Sequence, residues 1–161
     1  MKTLVIYLSR TGNTKKLGDE IAARRGADIE ELKEWVDRSG KRGYLRASRD
    51  ALIRATANLE PFSRDSRDYD TVIVGGPVWV QTICPPARSY TLQQRDNLKQ
   101  VAVFATSGAA TFAQKACRAL AEASGQEPVS MLTLSEDETR ENHSEKLAEF
   151  LGKLTQLRAA E

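Results

Sequence analysis

The segment of residues 9–14, Ser-Arg-Thr-Gly-Asn-Thr, has the residue types and spacing of a site that binds an anion. It follows the apolar residues 4–8 and precedes a stretch in which Leu17 and Ile21 lie on one helical face. A helix start carries unpaired N–H groups and a partial positive charge, to which hydroxyl and amide side chains add donors. Gly12 also lets the backbone approach the anion closely. We therefore predict a phosphate site at a turn between a strand and a helix.

The glycine spacing distinguishes this turn from two common nucleotide-binding loops. A Walker loop requires G-x-x-x-x-G-K-[ST], whereas five residues separate Gly12 from Gly18, and Asp19 follows. A dinucleotide loop requires G-x-G-x-x-G, and this turn contains one glycine. The spacing therefore favours neither a nucleoside triphosphate nor a pyrophosphate. An ordinary capped turn before a helix has the same preference for Ser, Thr and Asn, so that alternative remains open.

Residues for nucleophilic or metal chemistry are few. Cys84 and Cys117 stand 33 positions apart without a C-x-x-C pair, so we expect neither a disulfide framework nor a zinc site. Cys117 falls on or near the apolar face of a predicted helix and is interpreted as a core thiol, whereas the reactivity of Cys84 is left open. The single histidine, His143, is interpreted as a solvated residue at a helix end.

The composition is typical of a soluble globular protein, with 40% hydrophobic and 29% charged residues. We expect its 161 residues to form a single domain spanning 1–161, without a membrane span or a signal peptide, in a cytoplasmic protein. A scattered net charge of +2 argues against nucleic acid as a partner. Residues 33–54 contain seven basic and three acidic side chains. They form either a solvated face or a rim that attracts an anionic substrate or a nicotinamide dinucleotide.

The hydrophobic pattern predicts five strands that alternate with helices. The strands are expected at about 3–8, 27–32, 71–74, 101–105 and 129–134, and the helices at about 14–25, 44–57, 86–94, 111–124 and 141–157. The second strand alternates apolar and charged residues like an edge strand, whereas the third and fourth are continuously apolar. Right-handed crossovers then give an open, doubly wound parallel sheet, which binds ligands at the carboxyl ends of its strands.

Three loops at these strand ends carry a recognisable pattern. They are residues 9–14 after the first strand, residues 75–79, Gly-Gly-Pro-Val-Trp, after the third, and residues 106–108, Thr-Ser-Gly, after the fourth. Together they resemble the short-chain flavodoxin-like family, which binds FMN and carries the motif [ST]-x-T-G-N-T. The similarity in element order covers nearly the whole chain, whereas the specific motifs occupy only these three loops.

The resemblance implies a five-stranded sheet of order 2-1-3-4-5 that holds one FMN. Its 5′-phosphate would bind at the first loop, its isoalloxazine would lie between the other two, and Trp79 would stack on the ring. A buried packing role for Trp79 is the alternative. The cofactor-binding residues implied in this way are Ser9, Arg10, Thr11, Gly12, Asn13, Thr14, Pro77, Val78, Trp79, Val80, Thr106, Ser107 and Gly108.

The implied activity is that of an FMN-dependent oxidoreductase. It would pass electrons or hydride from NADH or NADPH to a quinone-like or other acceptor, with no acid-base side chain assigned. The alternatives are a non-enzymatic electron carrier between protein partners and a module that binds FMN weakly or not at all. Many flavodoxins have a glycine after the stacking aromatic, whereas Val80 and Gln81 stand here. The third loop has no second large aromatic unless Phe112 turns in, which would leave one flavin face open to a substrate.

Overall fold

The computed structural model describes residues 1–35, 43, 45, 49–50 and 56–156. Its strands are β1 (Thr3–Tyr7), β2 (Asp28–Glu31), β3 (Thr71–Trp79), β4 (Thr82–Ile83), β5 (Gln100–Ser107) and β6 (Met131–Ser135). Its helices are α1 (Asn13–Arg25), α2 (Pro85–Gln94), α3 (Ala110–Ser124), α4 (Glu136–Arg140) and α5 (Ser144–Gln156). The helix predicted at 44–57 and most of the basic segment 33–54 lie outside the described residues.

The sheet has the predicted parallel order. Its strands run β2-β1-β3-β5-β6, which is the order 2-1-3-4-5 once the short β4 is set aside. All neighbours along this path pair in parallel, whereas β4 pairs with β3 in antiparallel fashion. The edge position of β2 is confirmed, and its residues are only partly buried or exposed. The chain reverses its winding between β1 and β3, so the loops after these strands open beside each other.

Alternate side chains of the central strands supply the cores on the two faces of the sheet. Val72 and Val74 of β3 belong to the cluster that includes Tyr90 of α2 and Leu120 of α3. Ile73, between them, belongs to the other cluster, with Leu17 and Ile21 of α1 and Leu147 and Phe150 of α5. The sheet is thus covered on both sides, which explains why its central strands are continuously apolar.

The segment 75–79 was predicted as a loop, and this prediction was wrong. Strand β3 continues to Trp79 because Val78 and Trp79 pair with Ile83 and Thr82 of β4. Strand β3 has a glycine at position 75 because the neighbouring strand leaves no room for a side chain there. An added Cβ would lie 2.2 Å from the Phe104 ring on β5. The two-glycine stretch therefore marks close approach of neighbouring side chains instead of a turn.

The end of the chain also differs from its prediction. One helix was expected at 141–157, but α4 and α5 are separate, and β6 begins at Met131 instead of residue 129. His143 lies just before α5, at a helix end as expected, but its side chain is only 13% exposed. Its Nε2 atom lies 2.7 Å from a Glu20 carboxylate oxygen and its Nδ1 atom 3.2 Å from the Glu138 carbonyl oxygen. The prediction of a solvated histidine was therefore wrong.

Both cysteines of the chain lie in the protein interior. Cys117 is fully buried in the core between α3 and the sheet, as predicted, and Cys84 is buried as well. Within the described part of the chain, no cluster of three or more His, Cys, Asp or Glu residues is placed to hold a metal ion. None of the helices described here is long and apolar enough to cross a lipid bilayer.

Candidate functional site

A cavity of about 430 Å³ opens at the carboxyl ends of the central strands. The residues that line it are Arg10, Thr11, Asn13, Pro77, Val78, Trp79, Thr106, Ser107, Gly108 and Glu136. All three segments singled out in the sequence meet here, and Glu136 joins them. The volume lies within the range of about 300 to 1,000 Å³ that is usual for small-molecule sites.

The turn before α1 is ordered by its own hydrogen bonds. Ser9 Oγ accepts hydrogen bonds from the N–H groups of Gly12, at 3.2 Å, and Lys15, at 3.1 Å. Gly12 has a φ of 92°, in the left-handed region that favours glycine, and its carbonyl accepts a bond from the Lys16 N–H at 2.9 Å. Thr11 and Asn13 line the cavity from this turn, whereas the Ser9 hydroxyl stabilises the start of the helix.

Thr14 ties the turn to the end of β5 through a buried hydrogen bond. Its side chain is buried, and its Oγ1 atom lies 2.8 Å from Oγ1 of Thr106 at the end of β5. This contact links two of the three segments directly. Of the thirteen residues implied by the resemblance, Ser9, Gly12, Thr14 and Val80 do not line the cavity, although Ser9 and Thr14 hold residues that do.

Lys15 is directed away from the cavity. Its ammonium group donates a hydrogen bond to the Tyr7 hydroxyl at 3.2 Å and forms an ion pair with Asp19 at 3.1 Å. The hydrogen bond to Tyr7, together with that to Asp19, raises the pKa of Lys15 to about 12. Arg10 is therefore the basic side chain that this turn contributes to the cavity lining.

Trp79 forms the second wall at the end of β3. Its ring is partly buried against one of the two cores, and the Arg10 guanidinium carbon lies 6.0 Å from the ring centroid. This distance is at the limit of a cation–π contact. The indole therefore packs against the core, which was the alternative interpretation of Trp79, and it also lines the cavity.

The turn after Trp79 is strained. Val80 and Gln81 connect β3 to β4 with φ angles of 47° and 63°, which are the positive values of a type I′ hairpin turn. Gly, Asn and Asp usually occupy such positions, and a β-branched residue there is an outlier. The Val80 side chain is 43% exposed at the tip of this hairpin.

The third wall, at the end of β5, is built from small side chains. Thr106, Ser107 and Gly108 line the cavity, and the Ala109 N–H donates a hydrogen bond to Ser107 Oγ at 3.3 Å. A Cβ added to Gly108 would meet no atom within 4 Å, so this wall is open. Phe112 does not line the cavity, and Trp79 is the only aromatic ring among the lining residues described above.

Glu136 was missed in the sequence. Strands β5 and β6 pair up to Ser107 and Ser135, so the residue after Ser135 reaches the same edge of the sheet as Gly108. The available signal was the pattern Ser135-x-x-Glu138, a capping box that marks a helix start directly after the strand. One helix was predicted from residue 141, whereas the first helix after β6 begins at Glu136.

Comparisons with known proteins find a family model, a curated protein and solved structures that are similar to this chain. The chain matches the model of the Flavodoxin family over residues 2–140. It is 32% identical over 114 residues to the flavodoxin-like domain-containing protein BilS of Clostridioides difficile, covering 68% of this chain and 48% of BilS. The chain thus spans about half the length of that curated relative.

Solved structures share the fold. A flavoprotein from Lactobacillus acidophilus in complex with FMN has a TM-score of 0.70 at 22% identity, covering 86% of this chain and 95% of that one. Oxidised Flavodoxin 2 from Bacillus cereus has a TM-score of 0.58 at 21% identity, covering 97% and 99%. These likenesses show the fold, and the match over residues 2–140 shows the family: the chain belongs to the flavodoxin family.

Proposed function

We propose that the cavity binds FMN and that the chain is a flavin-dependent oxidoreductase. The observation that carries the proposal is the convergence of three segments on one cavity: a turn before a helix, an indole wall and an open wall of small residues. We place the phosphate at the turn of residues 10–14 and the isoalloxazine ring against Trp79, with the ring edge toward residues 106–108.

The chemistry of the lining residues fits this cofactor. A phosphate dianion is suited to the side chains of Thr11 and Asn13 and to the N–H groups of Asn13 and Thr14 at the start of α1, with Arg10 as a counter-charge. A flat aromatic ring is suited to the indole of Trp79. The bond between Thr14 and Thr106 and the two bonds to Ser9 Oγ hold the turn in place, which reduces the ordering that binding requires.

The open wall supports an enzyme. When bound, FMN supplies the redox chemistry, while the protein supplies position and electrostatics. Gly108 and the residues beside it leave space over the cavity, where a second planar molecule could approach the ring. We propose NADH or NADPH as the electron donor and a quinone-like or other small molecule as the acceptor.

A non-enzymatic electron carrier is the second candidate, and the family match itself favours it. In that case a partner protein would take the place of the small acceptor at the open wall. The two candidates differ in how the protein is reduced. A carrier takes electrons from another protein, whereas the enzyme reacts directly with a nicotinamide.

The test begins with the absorption spectrum of the purified protein and a titration with FMN. We expect a flavin spectrum that shifts on binding, together with quenched flavin fluorescence. A purified protein that has no flavin absorption and shows no spectral change on adding FMN would exclude the proposed site. The FMN-loaded protein is then mixed anaerobically with NADH or NADPH. Bleaching of the flavin within seconds would support the enzyme, whereas no reduction by either nicotinamide would favour the carrier.

Potentiometric titration adds a second criterion that distinguishes the two candidates. An enzyme that passes hydride is expected to take up two electrons in one step, whereas a carrier takes them up in two well-separated one-electron steps. Recording the full spectrum at each potential shows which of the two behaviours applies.

A further inference from the structure

Glu136 is the one acidic side chain among the residues that line the cavity. Its position follows from the sheet, because β5 and β6 are paired up to Ser107 and Ser135. Gly108 and Glu136 directly follow these two residues, so they leave the sheet side by side. The carboxylate therefore lies at the same wall as Gly108, which is the open wall.

The start of α4 fixes this position. Ser135 Oγ accepts a hydrogen bond from the Glu138 N–H at 3.1 Å, and a Glu138 carboxylate oxygen accepts one from the Ser135 N–H at 2.8 Å. Glu138 is also paired with Lys146 of α5. The capping box between Ser135 and Glu138 thus fixes the first turn of α4, which contains Glu136 and Asp137.

The negative charge of Glu136 is only weakly compensated. Its ion pair with Arg140 is 3.8 Å long, and the two side chains are 49% and 65% exposed. Exposed pairs of this length contribute little because solvent screens them. Arg10, the basic residue of the cavity, lies on the opposite wall beside Trp79. Glu136 is therefore a weakly compensated negative charge at the open wall, and the one acidic group among the lining residues.

We propose that Glu136 selects the electron acceptor by charge, disfavouring anions and favouring neutral or cationic molecules. This inference rests on the proposed FMN site. A ring stacked on Trp79 is reached over Gly108, and any molecule on that path passes the Glu136 carboxylate. One carboxylate slows the approach of an anion, including the nicotinamide donor, without blocking it. Charged groups lining a cleft change the encounter rate of a charged reactant without contacting the reacting atoms. Glu136 is thus a specificity-determining residue.

The test compares two one-electron acceptors of opposite charge. The FMN-loaded protein is reduced anaerobically and mixed with ferricyanide or with hexaammineruthenium(III) at low ionic strength. Each acceptor takes up one electron, so two are reduced for each reduced FMN that is oxidised, and two protons pass to water. We expect Glu136→Gln to raise the ratio of the ferricyanide rate to the ruthenium rate by about three-fold or more. The gain should shrink in high salt.

Asp137→Asn is the matched control, because it removes the same charge one residue along, from a side chain outside the cavity lining. We expect it to change the rate ratio much less. An equilibrium measurement provides a readout that is independent of turnover. Glu136→Gln should move the midpoint potential of the bound flavin to a more positive value, since a nearby negative charge opposes the uptake of electrons.

Two results would overturn the inference. With FMN bound to all three proteins, an unchanged ratio in Glu136→Gln, or an equal change in Asp137→Asn, would show that Glu136 does not select the acceptor. A parent protein that has no flavin absorption as purified and whose spectrum does not respond to FMN would overturn the proposed site and this inference together. That outcome is recognised in the titration, before any rate is measured.

Discussion

The hydroxyl groups of Thr14 and Thr106 lie 2.8 Å apart in the protein interior and join the start of α1 to the end of β5. The two residues are 92 positions apart in the chain, and β3 lies between the strands that carry them. Because both side chains are almost completely buried, water does not replace the bond if one partner is lost. This contact holds the first and third walls of the cavity at a fixed distance.

Replacing Thr14 by Val is expected to reduce the free energy of unfolding by about 1 to 3 kcal/mol, because it leaves the buried Thr106 hydroxyl without its partner. The double variant Thr14→Val/Thr106→Val should cost less than the sum of the two single variants, since it removes both polar groups together. Urea unfolding of the four proteins measures this coupling. Strictly additive costs would show that the hydroxyl pair contributes no energy of its own.

Trp79→Ala is expected to weaken FMN binding by about 5- to 150-fold, which corresponds to the 1 to 3 kcal/mol typical of stacking on an aromatic side chain. It should also relieve the quenching of flavin fluorescence. Both are measured in one fluorescence titration. Trp35→Ala is the control, since Trp35 is 70% exposed and does not line the cavity. Equal affinities for the two variants would refute the stacking role.

Val80→Asn is expected to stabilise the protein by about 1 kcal/mol. A residue in the left-handed region costs roughly 1 to 2 kcal/mol, and asparagine tolerates this region better than a β-branched residue does. The exposed valine side chain loses little apolar contact in the exchange. Thermal unfolding and urea unfolding measure the change. A lower melting temperature for the variant would contradict the strain at this turn.

The strands and their parallel arrangement could be predicted from the sequence because burial on both faces leaves a clear pattern, whereas the strand order was implied by the family resemblance. Val72 to Val74 and Val101 to Ala105 are continuously apolar, and most of the segments between the strands show a helical period. The convergence of the three segments then follows from the rule that ligands bind where the winding of a parallel sheet reverses.

The details that failed depend on neighbours distant in sequence. Gly75 and Gly76 indicated a turn locally, whereas the Phe104 ring and the Cys84 sulfur explain them as sites of close approach. His143 looked like a surface residue, but Glu20, from the other end of the chain, covers it. The capping box at Ser135 indicated a helix start after the strand, but the place of Glu136 at the site also depends on the pairing of β5 with β6.

Cys117 offers a prediction for the pH dependence of stability. Burial raises the pKa of its thiol to about 12, whereas the thiol of an unfolded chain ionises near pH 8.5. Below about pH 8.5 both states keep the proton, so the stabilisation is fully present. As the pH rises toward 12, only the unfolded chain loses the proton, and the folded state loses stability. At pH 10 this loss amounts to about 2 kcal/mol.

Comparing the parent with Cys117→Ala isolates this contribution. The free energy of urea unfolding is measured from pH 7.5 to 10. Tyr90, whose pKa burial raises to about 12, begins to add its own dependence near the upper end of this range, but both proteins carry it and it cancels in their difference. The variant loses thiol packing by an amount independent of pH, so the difference between the two proteins should narrow by about 2 kcal/mol over this range. A constant difference would mean that the thiol ionises equally in both states, which contradicts its complete burial between α3 and the sheet.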